Sequence, residues 1–255
     1  MKRLALVTGA AGDIGRAISL RLKADHDLVV MTDRDLAAVQ AAVRAMGPGF
    51  VTMRLDATDP ADCAAVSGAV AELGQVATLV NNAGAARALS LQSTGAADWQ
   101  ADTALNLDAP FFVFQAFVEQ LKTTRGSVVN IASVNGMAVF GHPAYAAAKA
   151  GMIHLTRLIA VEYGRYGIRA NAVAPGTVRT QAWEARATRN PDVFGEAAAH
   201  YPLGRIVAPK DVAEAVGFLA SPLAAAITGT CLAVDCGLTA GIPALARTFT
   251  QSADY

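Results

Sequence analysis

The chain has 255 residues, 53% hydrophobic and 16% charged, with 21 Lys+Arg balancing 21 Asp+Glu. That length supports one large core, and zero net charge without a basic stripe or acidic tail argues against nucleic acid or an anionic membrane as partner. Cys63, Cys231 and Cys236 are odd in number and lack metal-ligand spacing, and the four histidines are scattered; reduced thiols, no metal and a cytoplasmic location are expected.

The start, MKRLALV, carries the charge of a signal peptide, but its apolar run breaks at Gly9 and Asp13. Strands are predicted at Leu4–Thr8, Leu28–Thr32, Val51–Leu55, Thr78–Asn81, Ser127–Ile131, Arg169–Val173 and Cys231–Val234. Helices are predicted between them at Ile14–Ala24, Asp35–Met46, Pro60–Leu73, Ala104–Leu121, Ala144–Tyr163 and Pro209–Leu219. The first six strands mostly lack polar/apolar alternation, as strands buried on both faces do. Repeated strand–helix units predict an α/β fold, a parallel sheet between two helix layers, in one domain over residues 1–255. Two segments stand outside the pattern and read as irregular: a flap, Thr177–Arg205, and the tail Gly241–Tyr255.

The first strand feeds TGAAGDIG (Thr8–Gly15) and then a helix. That order presents free backbone N–H groups and a helix N-terminus to an anion. Gly9 suits a tight turn, and Gly15 lets the helix lie close on the sheet. Asp33 ends the next strand, 24 residues after Gly9. A carboxylate there can hold both hydroxyls of an adenosine ribose and repel a 2′-phosphate; alternatively it caps the helix beginning near Asp35. Arg34 beside it keeps a 2′-phosphate, and so NADP, as the alternative. Asp56 and NNAG (Asn81–Gly84) end the third and fourth strands at the same edge.

YAAAK places Tyr145 and Lys149 one helical turn apart on one face. Ser133 lies 12 residues before Tyr145 in a loop with Asn135. Moving a hydride at a carbinol carbon requires a matching proton transfer at its oxygen. A phenol of pKa about 10 is a weak base at neutral pH, and a nearby ammonium should lower that value. A serine hydroxyl can hydrogen-bond the substrate oxygen.

TGAAGDIG, NNAG, Asn106, Ser133, YAAAK and PGTVRT (Pro175–Thr180), in this order and spacing, resemble the short-chain dehydrogenase/reductases from Leu4 to about Leu238. The resemblance implies a Rossmann-type doubly wound sheet of seven parallel strands and a homotetramer joined through the helices Ala104–Leu121 and Ala144–Tyr163. It implies Tyr145 as general acid/base, Lys149 lowering its pKa and holding the nicotinamide ribose, Ser133 orienting the substrate oxygen, and Asn106 holding a relay water. Gly9, Gly12, Asp13, Ile14, Gly15, Asn82, Gly84, Pro175 and Gly176 become cofactor contacts, with Asp56 at the adenine and Val178 and Thr180 at the carboxamide. Asp33, and Gly12 where NADP-type members often carry a basic residue, point to NAD(H) rather than NADP.

Asp13 departs from the family pattern, which has glycine there; the expectation is that it points outward or caps the following helix, with Arg16 screening it. VDCG (Val234–Gly237) also departs, where two glycines are usual. The substrate is expected to be a small secondary alcohol or ketone, a polyol or sugar among them, with Asn135, His142 and Trp183 in its pocket. Trp183 and Phe194 could form a lid, Val139 and Phe140 an inner wall, and Arg186 and Arg189 either an anion contact or a solvated face. The tail could cover its own or a partner's site. Two alternatives stand: an NADPH-dependent 3-oxoacyl thioester (acyl-carrier-protein) reductase, and a catalytically silent nucleotide-binding scaffold or sensor, against which Asn106, Ser133, Tyr145 and Lys149 weigh.

Overall fold

The computed structural model describes the chain except Arg189, Tyr255 and the side chains of Ala182, Ala185 and Arg186. The contacts expected of Arg186 and Arg189 therefore lie outside the described residues. Strands β1 (Arg3–Thr8), β2 (Leu28–Asp33), β3 (Phe50–Arg54), β4 (Gln75–Asn81), β5 (Ser127–Ile131), β6 (Arg169–Pro175) and β7 (Cys231–Val234) pair in parallel. Their spatial order is β3-β2-β1-β4-β5-β6-β7. The helices are α1 (Asp13–Leu22), α2 (Leu36–Arg44), α3 (Pro60–Ala71), α4 (Ala96–Thr103), α5 (Ala109–Thr124), α6 (Pro143–Tyr163), α7 (Gln181–Ala187), α8 (Val193–Ala198), α9 (Pro209–Ala220) and α10 (Pro243–Thr250).

β1 shows why a strand here reads as an unbroken apolar run. Leu4 and Leu6 pack on one face with Phe114, Phe117 and Ile159 of α5 and α6. Ala5 and Val7 pack on the other with Ile18, Leu22 and Val212 of α1 and α9. Successive side chains leave a strand on opposite faces, and helices cover both. Each such fully buried Leu or Phe stabilises the fold by about 1.5–3 kcal/mol. The strand order reverses at β1 and β4, and the C-terminal strand ends open a crevice there.

Three expectations need correction. The helix expected to begin at Ala104 is already helical from Ala96, and a π-helical turn at Ala104–Asp108 separates α4 from α5. The Ala109 N–H bonds the Ala104 carbonyl, one residue beyond α-helical spacing. Pro110 has no N–H to return to Asn106, so an α-helical ladder cannot close at that residue. The flap is not irregular; it contains α7 and α8. Of the tail, no described residue lines the crevice, and α10 leaves Leu245 and Phe249 48% and 78% exposed. Among the described residues no helix is long and apolar enough to cross a membrane.

Candidate active site

Two adjoining cavities of about 720 and 840 Å³ occupy the crevice and share Ile14, Asn82, Gly84, Ala85 and Thr180. The first has the form of a dinucleotide cradle. Gly9 turns at φ +62°, and a Cβ there would lie 2.7 Å from the Ala83 Cα, so only glycine lets these two loops meet. The Thr8 hydroxyl accepts the Asn82 and Ala83 N–H groups, each at 3.0 Å, and Asn82 Nδ2 donates to the Thr8 and Gly9 carbonyls at 2.9 and 3.0 Å. Gly12 precedes α1 without any side-chain cap. The first turn of α1, with Gly12, Asp13, Ile14 and Gly15 on the cavity wall, thus keeps N–H groups for an anion.

Asp33 lines the same cavity with Asp56 and Arg34. It is not the cap of α2. Asp35 takes that role, accepting the Ala38 N–H at 3.0 Å, while Asp33 accepts the Ala11 and Asp35 N–H groups at 3.2 and 3.1 Å. The Thr58 hydroxyl, 2.6 Å from Asp56, holds that carboxyl below its ordinary range.

Asp13 pairs with Arg16 and accepts the Gln181 N–H at 2.7 Å. Its side chain caps the start of α7 rather than its own helix, tying the glycine loop to the flap. Asp13→Gly should release that tie. Trypsin cleavage at the flap arginines should quicken, while affinity for an anionic dinucleotide changes by no more than roughly the threefold a charge already paired with Arg16 contributes. A large gain in dinucleotide affinity would instead mean that the carboxylate opposes the phosphates.

The second cavity brings Ser133, Tyr145, Lys149, Pro175, Gly176, Val178 and Thr180 to one wall. Ser133 follows β5, and its Oγ accepts the Asn135 N–H at 3.2 Å. Lys149 is 2% exposed; its Nζ donates to the Ile131 carbonyl at 2.7 Å and sits 5.5 Å from the Tyr145 ring centre. Burial pushes its ammonium down to about 7. Burial also raises the Tyr145 phenol, against a Ser133 hydrogen bond that lowers it, with the Asp102 charge adding to the rise. The expected lowering of the phenol by Lys149 is thus not seen in the chain itself. Both side chains share one desolvated pocket, which disfavours both charged forms.

Asn106 is fully buried in the π-helical turn. Its Nδ2 donates to the Ala85 and Asp102 carbonyls, each at 2.8 Å. Its Oδ1 has no partner among the described residues. A Cβ on Gly84 would meet that Oδ1 at 2.8 Å and Lys149 Nζ at 3.3 Å, so both atoms face one spot. A buried acceptor facing a buried donor across such a gap suits a bridging water.

His142, at φ +55°, sits with Asn135, Phe140 and Trp183 around the outer wall. Its Nδ1 lies 2.9 Å from the Ala88 carbonyl and must donate there, which leaves Nε2 as the acceptor of the neutral ring. His200, Tyr201 and Leu238 also line the cavity and were not anticipated. Tyr201 carried the weak signal of an aromatic in the flap; its hydroxyl accepts the Thr177 N–H at 2.7 Å. Two wall residues are corrected. Val139 is 92% exposed, because the loop after β5 turns it to solvent, and Phe194 stacks 4.5 Å from the Arg179 guanidinium instead of forming a lid.

Residues 9–239 match a family model described as Enoyl-(Acyl carrier protein) reductase. A solved oxidoreductase of the short chain dehydrogenase/reductase family from Burkholderia thailandensis is 45% identical over 100% of both chains, with a TM-score of 0.94. The (3R)-3-hydroxyacyl-CoA dehydrogenase of Rattus norvegicus is 39% identical over 92% of this chain and 95% of that protein. Galactitol 2-dehydrogenase (L-tagatose-forming) of Cereibacter sphaeroides is 36% identical over 92% and 94%.

Proposed function

The chain belongs to the short-chain dehydrogenase/reductase family of oxidoreductases, and from that premise we propose that it interconverts a secondary alcohol and its ketone with NAD(H). The observation that carries this reading is the unpartnered Asn106 Oδ1 facing Lys149 Nζ beside Tyr145. Asn81 Oδ1 in the core also lacks a partner among the described residues, but only Asn106 Oδ1 faces a buried ammonium beside a phenol, where an acceptor can serve a proton relay. A nicotinamide dinucleotide fits the cradle at Gly9, and when bound it supplies the hydride chemistry. Asp33 would hold its adenosine ribose, Asp56 its adenine side, and Val178 and Thr180 its carboxamide end.

In alcohol oxidation Tyr145 takes the hydroxyl proton while Ser133 donates a hydrogen bond to the same oxygen. The phenolate of Tyr145 is what accepts that proton; Lys149 then carries it on toward the spot that Asn106 Oδ1 faces, which restores the phenolate. Ketone reduction reverses these steps. The pocket supports a small hydroxylated substrate, a polyol or sugar, because His142, Asn135 and His200 stand beside apolar Phe140 and Trp183. Arg34 on the cradle wall favours a second reading, an NADPH-dependent 3-oxoacyl thioester reductase. The first reading also makes the protein a cytoplasmic homotetramer. Free cysteines support the location, and Phe111 on α5 with Leu158 and Val161 on α6, all exposed, support the assembly.

Fluorescence titration with NADH and NADPH tests the cofactor. NADH should bind about tenfold or more tightly, and Asp33→Ala should weaken NADH by about tenfold, the loss of charge-assisted hydrogen bonds. Tighter NADPH binding would mean that Arg34 overrides Asp33 and would promote the thioester-reductase reading. Binding of neither would end both.

A further inference from the structure

Asp102, in the last turn of α4, belongs to no motif, yet it lies against the proton-transfer site. It is 1% exposed. Its carboxylate accepts the Arg87 backbone N–H at 3.1 Å and the Arg87 guanidinium at 2.6 Å. Its carbonyl accepts Asn106 Nδ2. The Ala85 carbonyl, two residues before Arg87, takes Asn106 Nδ2 as well. The loop after β4 and the end of α4 are therefore clamped together on both sides of one amide. With Nδ2 spent on two carbonyls, Asn106 cannot flip, and Oδ1 is left facing Lys149.

A carboxylate so deeply buried is costly unless paired, and its charge opposes phenolate formation at Tyr145. Arg87 supplies the opposite charge while its side chain stays 41% exposed over the first cavity. We propose that Arg87 and Asp102 are a positioning pair for proton transfer, the guanidinium neutralising the buried carboxylate beside the site and the pair holding Asn106 with its oxygen toward Lys149. This rests on the proposed role of Tyr145. Among the described residues, Lys149 on the same helix, His142 just before it, Ser133 after β5, and His200 and Tyr201 from the flap share Tyr145's cavity, and Asp102, paired with Arg87, acts on it from α4.

The test reads the Tyr145 phenol directly, as tyrosinate absorbance in each variant minus that of its Tyr145→Phe counterpart. Asp102→Asn should lower the midpoint by about one pH unit, tenfold in the ionisation constant. Arg87→Met should raise it by a similar amount, and Arg87→Lys should stay near the parent value. Arg87→Met/Asp102→Asn, which removes both charges, should return the midpoint to the parent value; a purely structural role would not produce that return. If Arg87→Met loosens the fold, Asp102→Asn and the double variant still decide. Unmoved midpoints in Asp102→Asn and Arg87→Met, with near-UV circular dichroism unchanged, overturn the proposal. So does a double variant displaced as far as Arg87→Met. The titration needs no substrate, so its failure is separate from failure of the Tyr145 assignment, which shows in turnover.

Discussion

Tyr145→Phe should lower turnover of every alcohol or ketone substrate by about 10²- to 10⁴-fold, the usual contribution of one positioned acid/base. The ring and its packing remain, so NADH should still bind, and the loss should appear in kcat. Only the phenol oxygen is removed, from a site where Ser133 is its hydrogen-bond partner. Because burial holds the phenol above its ordinary pKa, alcohol oxidation by the parent enzyme should quicken as pH rises and the phenolate becomes available. Steady-state rates for a panel of secondary alcohols and ketones, over pH, check both statements. Unchanged turnover in the Phe variant would remove Tyr145 from the mechanism and revive the silent scaffold.

Lys149→Met should change how stability depends on pH. The ammonium titrates at about 7 in the folded chain, against about 10.4 when unfolded. Below pH 7 both states are protonated, and the folded state bears the full cost of a buried charge. Between these two values the unfolded state binds more protons, so stability rises with pH, by at most about 1.4 kcal/mol for each pH unit. Above the unfolded pKa the cost is gone. The parent should therefore gain stability relative to Lys149→Met as pH rises from 7 toward 10. Paired urea titrations measure it, and His26, whose buried ring is also held low, cancels in the comparison. Parallel curves for the two proteins would show that Lys149 keeps its ammonium when folded. The same variant should lose activity, since the amine that relays the proton from Tyr145 toward Asn106 goes with it.

The sheet was largely legible because its signals are local. β1 reads directly from its apolar run, and the glycine turn after it announces α1. Strand limits differ from expectation by a few residues where edges lack apolar contrast, as at Gln75–Ala77 of β4. The π-helical turn was not legible. Pro110 just after it has no N–H to donate, a feature that a periodicity reading passes over as an ordinary helical proline. The flap helices α7 and α8 were missed because seven and six residues give too short a window for a helical period.

The candidate site divides in the same way. Spacing alone set Tyr145 and Lys149 on one helix face, since four residues make about one turn, and set Ser133, Asn82, Asp33 and Asp56 at C-terminal strand ends, since buried parallel strands all point one way. Those are properties of neighbouring residues, so the sequence by itself determined them. Tertiary structure alone decided that Asp13 would tie to Gln181, 168 residues away. It alone decided that Asn106 would keep an unpaired oxygen toward Lys149, that Arg87 would neutralise Asp102, and that burial would bring Lys149 to about 7. Each of these depends on which loops the strand order brings together and on how much water they exclude, and no local pattern carries that information.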